Sequence, residues 1–167
     1  MSVALPDAEA LVAELVRQLA PRVTAETGMV GIVTGGVWLA ERLHRELGLA
    51  LPLGALDISF YRDDYASSGL HASVKPSQIP FEVDGRHILL VDDVLYTGRT
   101  VRGALNEIFD YGRPASVSLV VLADRGGREL PICAQHVGAT LTVPARAKVV
   151  LSRSDGGVLT LQLERDA

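Results

Sequence analysis

An α/β fold, built on a central and mostly parallel sheet flanked by helices, is what this sequence predicts. Three observations predict it. The stretches Met29 to Val33, His87 to Val91 and Val117 to Leu122 are nearly continuous apolar runs, as strands buried on both faces require. Helical periodicity fills Val37 to Leu47 and Thr100 to Tyr111, so strand and helix alternate along the chain. That order is the pattern of a parallel sheet with crossover helices.

The elements follow in order. Ala8, Leu11, Val12, Leu15, Val16 and Leu19 recur at helical spacing, with Pro6 and Asp7 as start signals and Pro21 as the stop. Met29 to Val33 is a short buried strand that ends at Thr34, Gly35 and Gly36. The helix over Val37 to Leu47 turns Ala40, Leu43 and Leu47 to one face, and Gly48 stops it. Leu56, Ile58 and Phe60 alternate with Asp57 and Ser59, which predicts a strand with one polar face. Residues 61–80 are polar and rich in Ser, Gly and Pro, too long for an ordinary connection, and are expected to act as a lid or binding loop. Phe81 to Val83 is expected to return as a strand, with a hairpin-like turn at Asp84 to Arg86. His87 to Val91 is the most apolar strand, Thr100 to Tyr111 the helix after it, and Gly112 and Pro114 end that helix. Val149 to Leu151 and Val158 to Leu163 flank Ser154 to Gly157, which predicts a C-terminal hairpin. No repeat, low-complexity segment or linker interrupts the chain, so one domain is expected over residues 1–167.

Composition bounds the function. The 167 residues are 48% hydrophobic and 22% charged, with a net charge of −4 and a pI near 5.5. That is ordinary for a soluble globular protein and does not point to nucleic-acid binding by total charge. No apolar run reaches the roughly 20 residues of a membrane span, and the N-terminus lacks a basic region and a cleavage-like site. A cytoplasmic protein is expected, without a membrane partner. Cys133 is the single cysteine, which excludes an intrachain disulfide; it is expected to be a buried small apolar residue. His44, His71, His87 and His136 have no metal-ligand spacing and receive no role, and Trp38 is expected to pack rather than stack on a base.

The stretch with chemistry in it is Ile88 to Thr100, "ILLVDDVLYTGRT". A buried strand delivers Asp92 and Asp93 to its carboxyl end, where open parallel sheets bind ligands. A short turn then leads to a helix start, whose unpaired amides and dipole favour an anion. Gly98 lets the backbone come close, and the Thr97 and Thr100 hydroxyls add donors. Carboxylates that accept from hydroxyls, next to a phosphate cradle, match a ligand with vicinal hydroxyls and a phosphate, such as a ribose 5-phosphate. The alternative is a pair of turn-forming aspartates or a divalent metal site. The stretch is neither a Walker A loop nor a dinucleotide fingerprint.

This stretch resembles the PRPP-binding signature of the type I phosphoribosyltransferases. Together with Asp57 to Asp64, "DISFYRDD", and Tyr111 to Ile132, "YGRPASVSLVVLADRGGRELPI", it resembles the pyrimidine operon regulator/uracil phosphoribosyltransferase family, over nearly the whole chain. The resemblance implies a type I phosphoribosyltransferase-like fold with a lid loop at about 61–80 and a small hood at about 144–165. It implies transfer of ribose 5-phosphate from PRPP to uracil, giving UMP and pyrophosphate, with Mg²⁺ as cofactor. Asp92 and Asp93 would hold the ribose hydroxyls and contact Mg²⁺ through water. Val94, Leu95, Tyr96, Thr97, Gly98, Arg99 and Thr100 would wrap the 5-phosphate.

By the same resemblance Thr34 and Gly35 belong to the pyrophosphate loop, where glycine also serves a tight strand-to-helix turn. This loop carries no basic side chain, unlike that of many active relatives. Arg62 would face phosphate from the lid, whereas Lys75 is equally a solvated charge. Arg125 would lie near the substrates, the alternative being a salt bridge with Asp124 or Glu129. Lys148 and Val149 would lie in the hood over the base. The resemblance further implies a regulator that responds to UMP or UTP and binds an mRNA hairpin, and a homodimer or larger homo-oligomer. Arg17, Arg22, Arg42, Arg45, Arg146 and Arg153 are the cations such an RNA face would draw on. Two other functions stay open: a nucleotide-sensing regulator with little or no transferase activity, and a phosphoribosyltransferase for another base.

Overall fold

Asp7 starts the first helix: its carboxylate accepts the Glu9 amide at 3.3 Å, and α1 runs Ala8–Leu19. The computed structural model describes residues 3–58 and 77–165. The elements that follow are β1 (Gly28–Ile32), α2 (Gly35–Leu47), β2 (Gly54–Leu56), β3 (His87–Leu95), α3 (Arg99–Tyr111), β4 (Ser116–Asp124), β5 (His136–Thr140), β6 (Ala147–Arg153) and β7 (Leu159–Arg165). The first five strands form one parallel sheet in the order β2-β1-β3-β4-β5, and β6 and β7 pair as a separate antiparallel hairpin.

Both faces of the sheet are covered, which is why its strands are apolar throughout. On one face Leu89 and Val91 of β3 pack with Leu11, Leu15 and Leu19 of α1, Leu39 and Leu43 of α2, and Val149, Leu151 and Leu161 of the hairpin. On the other, Ile88 and Leu90 pack with Val101, Ala104 and Ile108 of α3 and with Ile79 and Val83. Adjacent residues of β3 thus serve two different cores, as a period of two dictates.

Several boundaries differ from the sequence-based expectation. Strand β3 does not stop at Val91 but carries Asp92 and Asp93 on to Leu95, held by pairing of Asp92 with Val121 and Val94 with Ala123. The glycines after β1 are the first turn of α2 rather than a separate loop. Strand β5 has no counterpart among the strands the sequence predicts. Phe81 to Val83 is not a strand; Val83 is buried and Gln78 instead bridges to Ala55. The turn at Asp84 to Arg86 is real, with Gly85 at φ 70°, but it leads into a parallel strand, not a hairpin. Cys133 is exposed, contrary to expectation, because it lies in the irregular segment before β5. Trp38 packs against the core with the Arg153 guanidinium 4.9 Å over its ring. Strand β2 ends at Leu56, with Ile58 fully buried beyond it. Phe60, Arg62, Lys75 and nearly all of the expected lid lie outside the described residues.

Candidate active site

The strand order places a topological switch point between β1 and β3, from which the chain winds outwards in both directions. Crevices form at such points beyond the carboxyl ends of the strands. Here the crevice is a cleft of about 540 Å³. Thr34 and Gly35 from the end of β1, Asp92 to Leu95 from β3, and Tyr96 to Val101 from the turn into α3 line one side. Arg125, past the end of β4, and Lys148, Val149, Val150 and Glu164 of the hairpin line the other.

The β1 and β3 ends are fitted to each other. A Cβ on Gly35 would lie 2.2 Å from Asp93 Oδ2, and one on Gly36 would lie 2.6 Å from the Val91 carbonyl oxygen. Only glycine allows that approach. Asp92 is 6% exposed and accepts the Asp93 amide at 2.9 Å, and Asp93 accepts the Val94 amide at 2.8 Å. Each carboxylate is therefore oriented by the next backbone N–H. The Val33–Thr34 peptide is cis, and Thr34 accepts from the Val37 and Trp38 amides.

The turn into α3 is built for an anion. Gly98 stands at φ 93° as the N-cap, so no side chain of the cap residue occupies the helix end, and the first turn holds no acid. The Thr97 hydroxyl accepts the Arg99 amide at 3.2 Å, while the Thr100 and Val101 amides belong to the helix end that has no intrahelical acceptor. The turn is braced from behind. The Thr97 carbonyl accepts from the Glu129 and Leu130 amides, and Arg128 donates to the Tyr96 carbonyl at 2.8 Å, the Ile132 carbonyl at 2.9 Å and Asp124 Oδ2 at 2.5 Å. Gly127, at φ 84°, lies so close under Tyr96 that a Cβ would meet its ring at 2.6 Å.

Arg125 makes neither of the ion pairs weighed from sequence. Asp124 is held by Arg128 and Glu129 by Arg99 at 3.0 Å. Arg125 instead stacks on the Tyr96 ring at 4.1 Å and donates to the Ala147 carbonyl at 2.5 Å, tying the turn into α3 to the hairpin. Its Nε is buried without a hydrogen-bond partner. The structure thus brings Thr34, Gly35, Asp92 to Thr100, Arg125 and Val149 into one cleft, and Arg62 alone of the expected site residues lies outside the described ones. Sequence reasoning gave no role to Arg128 or Glu164. Arg128 belongs to the Tyr111 to Ile132 stretch, and Glu164 faces Lys148 across the hairpin, a pairing that only the register reveals.

Comparison with known proteins agrees with this geometry. The phosphoribosyl transferase domain matches residues 4–143. Over 164 residues the chain is 53% identical to the bifunctional protein PyrR of Pseudomonas fluorescens, which spans 96% of this chain and 95% of that one. The chain belongs to the PyrR family of phosphoribosyltransferases. The PyrR protein of Pseudomonas aeruginosa is 54% identical over 155 residues, covering 93% of this chain and 89% of that one. At the level of fold, this PyrR-family chain superposes on a hypoxanthine phosphoribosyltransferase from Staphylococcus aureus with a TM-score of 0.64 at 23% identity, over 84% and 78% of the two chains. A hypoxanthine-guanine phosphoribosyltransferase from Bacillus anthracis gives 0.66 at 20% identity, over 84% and 86%.

Proposed function

We propose that this protein transfers ribose 5-phosphate from PRPP to N1 of uracil, forming UMP and pyrophosphate, and that UMP or UTP in the same cleft governs a second role in regulating pyrimidine-biosynthesis genes through their mRNA. The observation that carries the transferase reading is the meeting of three groups at one switch point. Paired carboxylates at Asp92 and Asp93 stand between a glycine-lined β1 end and an uncapped helix N-terminus.

In this reading the Thr97 to Thr100 turn binds the 5-phosphate through backbone amides, aided by the Thr100 hydroxyl and the α3 dipole. Asp92 and Asp93 hold the 2′- and 3′-hydroxyls, fixing the sugar and favouring the positive charge that builds at its anomeric carbon. The Thr34–Gly35 backbone accommodates pyrophosphate. The C1–O bond to pyrophosphate breaks as the bond to uracil N1 forms, and the N1 proton is lost. No side-chain nucleophile takes part; position and electrostatics lower the barrier. Arg125 and the 147–150 segment stand where the base would sit.

Among the described residues no group of three or more His, Cys, Asp or Glu could hold a metal by itself. Asp92 and Asp93, at the β3 end of the cleft that Glu164 also lines, are the carboxylates that would share Mg²⁺ with substrate oxygens. Bound there, Mg²⁺ would neutralise pyrophosphate charge. No helix among the described residues is long and apolar enough to cross a membrane.

A second reading, a nucleotide sensor with little turnover, is favoured by one feature: Thr34, Gly35 and Gly36 offer pyrophosphate no cationic side chain. A base panel with PRPP and Mg²⁺, run beside UMP binding, decides between them. Uracil is expected to turn over and hypoxanthine not. UMP binding without turnover of any base would replace the enzyme by the sensor.

A further inference from the structure

The amino-terminal ends of the strands, at the opposite end of the sheet from the PRPP cleft, also carry open surface hollows. Two adjoining hollows of about 440 and 330 Å³ share Arg22, Gln135 and His136. Among the described residues no acidic side chain lines either hollow. His136 opens β5 at 9% exposure and makes no side-chain hydrogen bond among the described residues. Arg22, in the turn after α1, makes no side-chain hydrogen bond or ion pair among them, and the Ser118 hydroxyl on β4 is likewise uncommitted. His136 and Arg22 thus line the same hollow with donors that an anion could use, and the Arg22 guanidinium is exposed to it.

We propose that this hollow is a second binding site, for the phosphate group of a small molecule, with Arg22, Ser118 and His136 as its donors. The other polar groups there are already engaged. Gln135 Oε1 accepts the Leu119 amide at 2.7 Å and its Nε2 donates to the Cys133 carbonyl. Thr27 accepts the Thr24 amide at 2.9 Å, and His87 is hydrogen-bonded to the Ser116 hydroxyl at 2.6 Å. Three donors from three elements suit a tetrahedral oxyanion, and Arg22 supplies the charge-assisted bond. Burial first, and then the charge of Arg22, hold the His136 imidazole below its usual pKa. A bound phosphate would offset both, so its binding should carry a proton onto His136. The other charged or titratable groups facing the hollows are His87 on β3 and Arg17 on α1, the latter paired with Glu14.

The test is nitrogen NMR of the histidine-labelled full chain, titrated with sodium phosphate, UMP and ribose 5-phosphate at constant ionic strength. The His136 signals are expected to move saturably at or below about 10 mM phosphate and its titration midpoint to rise. A tighter response to UMP or to ribose 5-phosphate than to phosphate would identify a nucleotide or sugar phosphate as the source, and equal responses free phosphate. The exposed Arg22→Gln change is expected to weaken the response about tenfold while leaving uracil turnover and the fold unchanged. His136 signals that ignore phosphate, that follow chloride equally, or that respond unchanged in Arg22→Gln would overturn the site. The readout is local to His136 and stands whether or not the protein turns over uracil.

Discussion

Gly35 is the tightest point of the candidate site, because its α-carbon faces the Asp93 carboxylate with no room for a methyl group. Gly35→Ala is expected to displace that carboxylate and to lower kcat/KM for PRPP by about a hundredfold, the cost of moving a positioned group by about 1 Å. The thermal midpoint should change little, since no core side chain is disturbed; steady-state kinetics beside a melting curve checks both. The need for glycine here was legible in the sequence as a turn after a strand. Its partner was not, since Asp93 stands 58 residues further on. Arg125 shows the same limit. Its neighbours Asp124 and Glu129 are natural partners in sequence, yet Arg128 and Arg99 take them. That leaves Arg125 to stack on Tyr96.

At the scale of elements, the segment 124–132 acts as a brace for the turn into α3, and Arg128 is its centre. Arg128→Ala removes donors from the Tyr96 and Ile132 carbonyls and an ion pair with Asp124. A loss of about 1–3 kcal/mol is expected from the groups left unpaired, with a raised KM for PRPP and a smaller change in kcat. Urea denaturation and initial rates measure the two. Helix α3 is held by its apolar face, so Ile108→Ala, at a fully buried position, should cost about 2–5 kcal/mol. The long strands and the helices were legible because each repeats one periodicity over enough residues. Strand β5 was not, because "HVGAT" is short and carries a glycine at its centre. Gly138 is there because a Cβ would lie 2.4 Å from the Leu122 carbonyl oxygen, a constraint set by the neighbouring strand.

At the scale of the whole molecule, one sheet carries Asp92, Asp93 and the α3 N-terminus at the carboxyl ends of its strands, and Arg22 and His136 at the amino ends. Stability should record the latter pair. His136 has a folded pKa below its unfolded value, so between the two the unfolded chain binds more protons. Its contribution is complete above about pH 6.5 and is lost as pH falls from there through the folded value. Glu9, whose carboxyl the Arg42 guanidinium holds below its ordinary 4.5, gives a further loss as pH falls below that value. Urea midpoints in phosphate-free buffer should therefore fall between pH 7.5 and 5.5, and His136→Gln should flatten that fall. The parallel architecture was legible from strand–helix alternation. The order that creates the switch point was not, since apolar runs do not state which strands are neighbours.

The central claim is that Asp92 and Asp93, seated at that switch point, serve PRPP-dependent transfer to uracil. The most direct measurement is conversion of labelled uracil to UMP with PRPP and Mg²⁺, beside the Asp92→Asn/Asp93→Asn double variant. Turnover in the native protein and loss of at least about a hundredfold in the variant, with an unchanged melting point, is the predicted result. Absent turnover in a protein that still binds UMP, or equal turnover in both, would contradict it.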